Sequence, residues 1–324
     1  MSSTEGETTA GGRTSFAARQ VVCTGIAVVD AVFHVQQFPV AETKTQASAF
    51  MLISGGCAAN AAIAIARLGG RACFAGPLGG PAGCEPMGDR IAAALTQEGV
   101  NVSGCVRVPG VASSISAICI DAAGERAIVN YRDDRLAEAR PSDPAAIVAT
   151  ADAVLADNRF PDFSLPICVA ARDRGIPVVL DADKPTRATD ALFGAATHVV
   201  FSAEGLRATA ATDDLALGLE QIAATCHGFL AVTDGPNGML WLTAGARQRH
   251  NLAAFPIKPI DTLAAGDVFH GAFALALAEG RDETDAMRFA AVAAAIKCTR
   301  FGGITGAPKR AEVDEFLAGK AHLK

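Results

Sequence analysis

A run of small residues leading into an apolar segment is the strongest sign of chemistry in this sequence. It reads Asp-Thr-Leu-Ala-Ala-Gly-Asp-Val-Phe-His-Gly-Ala-Phe over residues 261–273. The apolar residues predict a helix over 266–278, and the unpaired N–H groups at a helix start attract anions. Because Ala264, Ala265 and Gly266 carry no bulky side chains, a phosphate can approach these amides closely.

Asp267 is the unusual residue of this run, because a carboxylate beside a phosphate site repels the ligand. Taken alone, the run favours an ordinary capping aspartate before an alanine-rich helix. The alternative is catalytic, since a carboxylate at this position can accept the proton of an incoming hydroxyl group.

Two other glycine segments have the same character. Gly-Gly-Cys-Ala-Ala-Asn at 55–60 opens a predicted helix over 58–68, on which Asn60 can hold a polar ligand. Thr-Asp-Gly-Pro-Asn-Gly at 233–238 follows a predicted strand over 229–233, as a phosphate-contacting turn at the carboxyl edge of a sheet should. Taken alone, the first segment is better explained by tight helix–sheet packing and the second by an ordinary turn. Neither the dinucleotide fingerprint nor a Walker A motif is present.

Predicted strands and helices alternate along most of the chain, which indicates βαβ units and a parallel sheet with helices on both faces. The predicted strands are 21–30, 72–77, 153–157, 177–181, 198–201 and 229–233, and the predicted helices are 58–68, 89–98, 165–174, 213–225, 266–278 and 284–299. Segments at about 32–51 and 105–131, the second with predicted strands 113–120 and 126–131 around a hairpin turn, interrupt this rhythm. We expect them to form a small β lid on a single domain over 21–324.

The composition excludes several classes of protein. Half of the 324 residues are apolar, which excludes a disordered chain, and 28 basic against 34 acidic residues give a net charge of −6. A mild acidic excess argues against a nucleic-acid partner. No apolar run approaches the roughly 18 residues that a membrane span needs, so no membrane partner is expected.

Nine scattered cysteines show no metal-binding or disulfide spacing, which is typical of buried thiols in a reducing compartment. Residues 1–20 are rich in Ser, Thr and Gly and lack an apolar core. They predict a disordered tail and not a signal peptide, so a cytoplasmic protein is expected.

The order and spacing of the three glycine segments resemble the PfkB (ribokinase-like) family of carbohydrate kinases, over roughly Val21 to Leu317. Residues 55–62 match the N-terminal signature of that family, and residues 261–274 match its C-terminal signature. The resemblance implies a ribokinase-like three-layer α/β/α fold with a mostly parallel central sheet and a small β-sheet lid. It also implies an ATP-dependent sugar kinase, although the family often has glycine where this chain has Ala264.

The resemblance assigns roles residue by residue. Asp267 would be the general base, and the amides of Ala264, Ala265, Gly266 and Asp267 itself would hold the transferring γ-phosphoryl group. The nucleotide would contact Thr233, Gly235, Gly238, Ala294 and Cys298, and the sugar would contact Asp30, Gly55, Gly56 and Asn60.

Cofactors also follow from the resemblance. Family members use Mg²⁺ with ATP, and many are activated by K⁺ near the positions of Asp261 and Leu263. The family often orders magnesium-bound water with an Asn-x-x-Glu element, but this chain has Ser202 and Gly205 at those positions. Glu204, one residue away, is therefore the candidate substitute.

A closer resemblance points to kinases of 6-deoxy-6-sulfofructose, through Lys44 and the segments 116–131, 155–159, 266–271 and 297–300. In that group the residues matching Lys44, Asn130 and Arg159 grip the sulfonate, and these side chains suit a tetrahedral anion. Phosphorylation would fall on the C1 hydroxyl group, opposite the anionic end. The alternative is that Lys44 and Arg159 are solvated surface charges.

Other substrates and functions stay open at this point. Fructose 6-phosphate, 2-keto-3-deoxygluconate, fructose and ribose are alternative sugars, and a catalytically weak regulator that binds sugar or nucleotide is an alternative function. A nucleoside kinase would need aromatic residues to stack on a base, and the lid is poor in them. We expect a homodimer through the lid, because an isolated flap leaves strand edges and an apolar face exposed.

Overall fold

The computed structural model of the protein describes residues 18–187, 189–245 and 247–319. The strands are β1 (Gln20–Thr24), β2 (Val28–His34), β3 (Ala49–Gly55), β4 (Arg71–Ala75), β5 (Pro77–Gly80), β6 (Val106–Pro109), β7 (Ser114–Ile120), β8 (Arg126–Tyr131), β9 (Ala153–Asp157), β10 (Val178–Ala182), β11 (His198–Ser202), β12 (Phe229–Thr233), β13 (Met239–Leu242) and β14 (Arg249–Leu252). The α-helices are α1 (Cys57–Arg67), α2 (Pro86–Gln97), α3 (Pro144–Val148), α4 (Pro161–Asp173), α5 (Ala191–Ala195), α6 (Ala203–Ala210), α7 (Leu215–Ala223), α8 (Ala265–Ala278), α9 (Glu283–Cys298) and α10 (Arg310–Leu317).

The central sheet has eight strands in the order β14-β13-β12-β11-β10-β9-β1-β4. Strands β4, β1, β9, β10, β11 and β12 run parallel, and only β13 and β14 are paired antiparallel. From β1 the chain moves to β4 at one edge, and the later strands extend from the other side of β1. The boundary between β1 and β9 is thus a topological switch point, where open α/β sheets bind ligands beyond the carboxyl ends of their strands.

Successive residues of the buried strands face opposite sides, so the sheet separates two apolar cores. Val21 and Cys23 of β1 pack into the core that also contains α1, α8 and α9, whereas Val22 packs into the core that contains α4. This arrangement confirms the predicted three-layer fold with a mostly parallel sheet.

The small extra sheet, called the lid below, has the order β3-β2-β7-β8, and β2 and β7 pair in parallel. It begins at Val28 and includes Gly55, so it extends beyond the expected insertion at 32–51. In the expected insertion at 105–131, only β7 and β8 belong to this sheet. Strand β6 pairs instead with β5 in a separate two-stranded sheet.

The prediction of one continuous strand over 21–30 is wrong. The chain leaves the central sheet at Gly25, where φ is +147°, and enters the lid at Val28. A Cβ atom on Gly25 would lie 2.2 Å from the Asp157 carboxyl carbon, so this turn needs glycine. Because of this turn, Asp30 lies in the lid and not in the central sheet.

Other predicted elements agree to within a few residues, with some omissions. The helix predicted over 213–225 is α7, and α6 immediately before it was not predicted. Of the tail predicted over 1–20, residues 1–17 lie outside the described residues, and Gln20 already pairs with Arg71 in the central sheet. In the part of the chain that the structure covers, no helix combines the length and apolarity of a membrane span.

Candidate active site

The start of α8 presents the backbone amides that the sequence predicts. Ala264 is the N-cap residue and has a left-handed backbone (φ 64°, ψ 12°), which is strained for any residue except glycine. The amide of Ala265 donates to the Thr262 carbonyl at 3.2 Å. Among the described residues, the amides of Ala264, Gly266 and Asp267 have no hydrogen-bond acceptor. Three of the four predicted amides are therefore available to an anion.

Asp267 lies in the first turn of α8 and contacts the neighbouring helix α1. The Asn60 side-chain amide donates to Asp267 Oδ2 at 2.7 Å. The two helices approach closely because α8 carries Gly271 at their contact, where a Cβ atom would lie 2.6 Å from the Ala61 carbonyl oxygen. Glycine at 271 thus lets one helix position the carboxylate and the other position its hydrogen-bond donor.

The surroundings of Asp267 change its acidity. Burial raises the pKa of Asp267 to about 7, and the nearby Asp181 carboxyl group adds to this increase. The hydrogen bond from Asn60 favours the charged form and opposes it. An Asp267 of this pKa is half deprotonated near neutral pH, which suits a general base.

Three possible metal ligands meet at this point. The Cys57 sulfur and one carboxylate oxygen each from Asp181 and Asp267 lie within 4.8 Å of one another. A thiol is a soft ligand that does not suit magnesium, which prefers oxygen. We therefore treat this cluster as a source of electrostatic effects on Asp267.

A cavity of about 560 Å³ adjoins the start of α8. The predicted nucleotide residues all line it, together with Ala265 and Gly266: Thr233, Gly235, Gly238, Ala294 and Cys298. Gly238 has φ of 92°, and a Cβ atom there would lie 2.3 Å from the Leu252 carbonyl oxygen. The structure thus brings the predicted nucleotide and phosphate residues together around one cavity.

The apolar walls of this cavity were missed by sequence reasoning. Phe255, Ile257, Phe269 and Ala291 contribute side chains to it. Phe255 and Ile257 come from residues 253–260, which follow β14 and lie outside the predicted phosphate-binding run. The only available signal was that this segment is apolar although it precedes the site.

On the lid, strand register places two predicted sugar residues in one row. Asp30 lies opposite Ser116, and Ser116 lies opposite Asn130, so the three side chains share a face. Burial raises the pKa of Asp30 to about 6, and a hydrogen bond with Ser116 opposes the increase. Gly55 is required beside this row, because a Cβ atom there would lie 2.1 Å from Asp30 Oδ2.

Gly55 leads directly into Gly56, the N-cap residue of α1, where φ is 93°. A Cβ atom on Gly56 would lie 2.5 Å from the Ile26 carbonyl oxygen, so the close approach of the two segments needs glycine. The lid residues Asp30 and Gly55 are thereby connected to the helix that carries Asn60.

Arg159 follows β9 and is mostly buried, but it is not a solitary cation. Its guanidinium forms an ion pair with Asp183, and its backbone amide donates to Asp157 Oδ1 at 2.9 Å. Lys44 is exposed in the segment between β2 and β3, and no ion pair to it occurs within residues 18–187, 189–245 and 247–319. The structure therefore does not join Lys44 to Arg159 by a direct contact.

Asp157, Asp181 and Asp183 were not predicted as site residues. Asp157 is the last residue of β9, Asp181 is the next-to-last residue of β10, and Asp183 directly follows β10. Acidic residues at the carboxyl ends of consecutive parallel strands were a signal that could have identified them.

Ser202 and Gly205, which stand at the positions of the Asn-x-x-Glu element, both have structural roles. Ser202 caps α6 by accepting the Gly205 amide at 3.0 Å. A Cβ atom on Gly205 would lie 2.5 Å from the Ala182 carbonyl oxygen, so no side chain fits there without a shift. Glu204 lies in the first turn of α6 and is exposed.

The geometry agrees with comparisons to known proteins. A sequence profile described as pfkB family carbohydrate kinase matches residues 18–310. A ribokinase of Bacillus subtilis is 28% identical over 303 residues, covering 93% of this chain and 100% of that protein. A fructokinase of Vibrio alginolyticus is 27% identical over 335 residues, covering 92% of this chain and 99% of that protein.

Solved structures share the fold. A protein of Agrobacterium tumefaciens is 39% identical with a TM-score of 0.87, covering 94% of this chain and 98% of the other. Arabidopsis thaliana ribokinase, solved with ribose and ATP, has a TM-score of 0.80 at 24% identity, over 93% of this chain and 99% of that one, and at this identity it supports the fold alone. A cavity beside bare helix amides, a carboxylate of raised pKa and a family match over nearly the whole chain lead to one conclusion: the protein belongs to the pfkB family of carbohydrate kinases and is an ATP-dependent sugar phosphotransferase with a ribokinase-like fold.

Proposed function

We propose that Asp267 is the general base of this kinase. The observation that carries this proposal is its position, in the same helical turn as the amides beside the nucleotide cavity and 2.7 Å from Asn60. As the sugar oxygen bonds to the γ-phosphorus, the bond from that phosphorus to the β,γ-bridging oxygen breaks and ADP leaves. The hydroxyl proton passes to Asp267. Phosphoryl transfer has a loose transition state, so positioning and charge stabilisation by the amides carry most of the catalysis.

Magnesium is part of the proposal, because its charge offsets that of the ATP phosphates when it is bound. Ser202 and Gly205 do not fit a role in holding it, for the packing reasons given above. We assign this role to Glu204, whose exposed carboxylate in the first turn of α6 forms no ion pair with any described residue and is an oxygen ligand of the kind magnesium prefers. We place the reaction in the cytoplasm, where ATP is the phosphoryl donor.

Replacing Asp267 with asparagine tests the proposed base. We expect kcat to fall by about 10²–10⁴-fold, the contribution of a positioned base, while ADP still binds. An ADP-release assay with a panel of sugars, and calorimetry for ADP binding, measure both. Asp173→Asn, at the exposed end of α4, is the matched control. An Asp267→Asn variant with full activity would exclude Asp267 as the base.

The raised pKa of Asp267 predicts a pH dependence. The base must be deprotonated, so kcat/KM should fall as the pH drops through about 7. Asn60→Ala removes a hydrogen bond that favours the carboxylate, and we expect the acid limb to move to higher pH. ATP titrates equally in both enzymes, so the difference between the two profiles reports Asp267. A limb that stays in place, or moves to lower pH, contradicts the assignment.

For the substrate, we propose a ketose with an anionic tail, best matched by 6-deoxy-6-sulfofructose and phosphorylated at the C1 hydroxyl group. The support is a guanidinium held at the carboxyl edge of the sheet, where Arg159 is anchored through its own amide to Asp157. Asn130 lies in the lid row with Asp30, and Lys44 is an exposed cation in the segment between β2 and β3. A planar fork of donors, an amide and a point charge together suit a sulfonate.

A neutral sugar is the second candidate, and the ion pair between Arg159 and Asp183 favours it. An anionic tail has to compete with Asp183 for the guanidinium. Relatives described as ribokinase and fructokinase add ribose and fructose as specific possibilities.

The ratio of activities on an anionic and a neutral sugar separates the two candidates. We expect Arg159→Ala to lower kcat/KM for 6-deoxy-6-sulfofructose by about 10- to 100-fold, which corresponds to a charge-assisted hydrogen bond. Activity on fructose should change little. Asp183→Asn releases the guanidinium and should shift the ratio the other way, in favour of the sulfosugar. An equal loss on all sugars in Arg159→Ala would refute an anion grip.

We also propose that two copies associate through the lid. On the face opposite Asp30, the lid exposes apolar side chains: Phe50, Ile115, Val129 and Tyr131. A contiguous apolar face on a small sheet is typical of an interface. A second copy is a suitable partner, because it presents the same apolar face.

Val129, at 71% exposure, is the position for the test of this interface. We expect wild type to elute in gel filtration at twice the 33.1 kDa chain mass, and Val129→Asp at the mass of one chain. Val169→Asp, at an exposed apolar position on α4, should leave the elution unchanged. A monomeric wild type would rule out the dimer.

A further inference from the structure

The only lysine among the fully buried side chains of the described residues lies behind the proposed phosphate site. Lys297, near the end of α9, has no exposed surface. Lysines are almost never fully buried unless their charge is paired. Its Nζ atom lies 2.7 Å from the Asp261 carbonyl oxygen and 3.3 Å from Asp261 Oδ2, so one residue supplies both partners.

Asp261 is in turn bonded from several sides. Its Oδ1 accepts the Leu263 amide at 2.8 Å, and its Oδ2 accepts the amides of Gly302 at 3.1 Å and Gly303 at 2.8 Å. Its own amide donates to the Cys298 carbonyl at 3.2 Å. Asp261 therefore ties the segment before α8 to the end of α9.

This ion pair stands directly behind the nucleotide cavity. Thr262 and Cys298, the neighbours of Asp261 and Lys297 in the chain, both line that cavity. Three residues beyond Asp261, the backbone turns at Ala264 into the amides of α8. We therefore expect a change in the Asp261 environment to shift the groups proposed to hold the phosphate.

Potassium does not fit at this position. An alkali cation beside Asp261 and Leu263 would need the carbonyl and carboxylate oxygens of Asp261 as ligands. The Lys297 ammonium already uses both oxygens, and the remaining carboxylate contacts are with amide donors, which repel a cation. The resemblance that implies K⁺ activation therefore disagrees with the residues of this chain.

We infer that the Lys297 ammonium takes the place of a monovalent cation, so that this kinase works without K⁺. Lys297 is then a positioning residue: its charge holds Asp261, and Asp261 holds the segment that leads into the α8 amides. The inference rests on the proposed role of those amides.

Wild-type enzyme provides the first test. We expect the same kcat and KM for ATP in potassium, sodium and tetramethylammonium chloride at matched ionic strength. The melting temperature with ADP should also be equal in the three salts. Activation by potassium, or an ADP-bound melting temperature that rises only in potassium, would overturn the inference. The melting temperature with ADP is measured without a sugar. It therefore tests independence of potassium even if the proposed base or substrate is wrong.

Two variants of Lys297 test the replacement itself. Lys297→Ser removes the ammonium and leaves space beside Asp261, whereas Lys297→Met removes the charge but keeps most of the volume. In tetramethylammonium chloride, kcat of both variants should fall by up to about 10²-fold, which is the effect of a misplacement of 1 Å. Potassium or ammonium ions should restore activity and ADP affinity in Lys297→Ser only.

Several results would contradict the replacement. These are full activity of Lys297→Ser without potassium, equal rescue of both variants, and the absence of rescue in a Lys297→Ser protein that is folded by circular dichroism. If neither variant folds, the comparison of salts with wild type still decides.

Discussion

One buried carboxylate joins the parts of the molecule that have to meet at the switch point of the sheet. Asp157, the last residue of β9, accepts the amides of Ile26 at 2.8 Å, Ala58 at 3.1 Å and Arg159 at 2.9 Å. These amides belong to the turn into the lid, to the start of α1 and to the segment after β9. The side chain is almost fully buried, so these three amides supply the hydrogen bonds that the desolvated carboxylate needs. The same carboxylate requires glycine at 25, since no Cβ atom fits beside it. The turn into the lid, the start of α1 and the proposed anion-binding arginine thus share one point of attachment.

The second constraint is the distance between α1 and α8, two helices that lie about 200 residues apart in the sequence. Gly271 sets that distance by backbone contact with Ala61, and Asn60 and Asp267 then meet across the contact. Asn60 therefore has a clear physical effect even without a sugar, because its hydrogen bond limits how far burial raises the pKa of Asp267. Helix packing and base strength are consequently coupled: a larger residue at 271 would separate the helices and change the acidity of the proposed base.

Local patterns carried the prediction of this fold much further than the prediction of its site. The strands at 126–131, 153–157 and 229–233 were predicted to the residue, because short apolar or β-branched runs bounded by turns are local signals. The run over 21–30 failed because the turn at Gly25 depends on Asp157, which is remote in the sequence. The motif residues that line the cavity beside α8 could be singled out from the sequence because glycine-rich turns are also local signals. The pairing of Arg159 with Asp183, and of Lys297 with Asp261, is tertiary and leaves no periodic trace.

An acidic site that must accept a polyanion raises an electrostatic difficulty, and the structure contains its resolution. Asp267, Asp181 and Asp157 lie on the same side of the sheet as the proposed phosphate amides, and three full charges would oppose ATP. Burial raises the pKa of all three and so disfavours their charged forms. Asp183 is offset by Arg159, and Asp261 by Lys297. Asp267 therefore repels a bound phosphate less than its sequence position suggests, because it is close to half protonated near neutral pH. A proton acceptor in that state can be kept beside a phosphate and can still take the proton of an alcohol as the new bond forms.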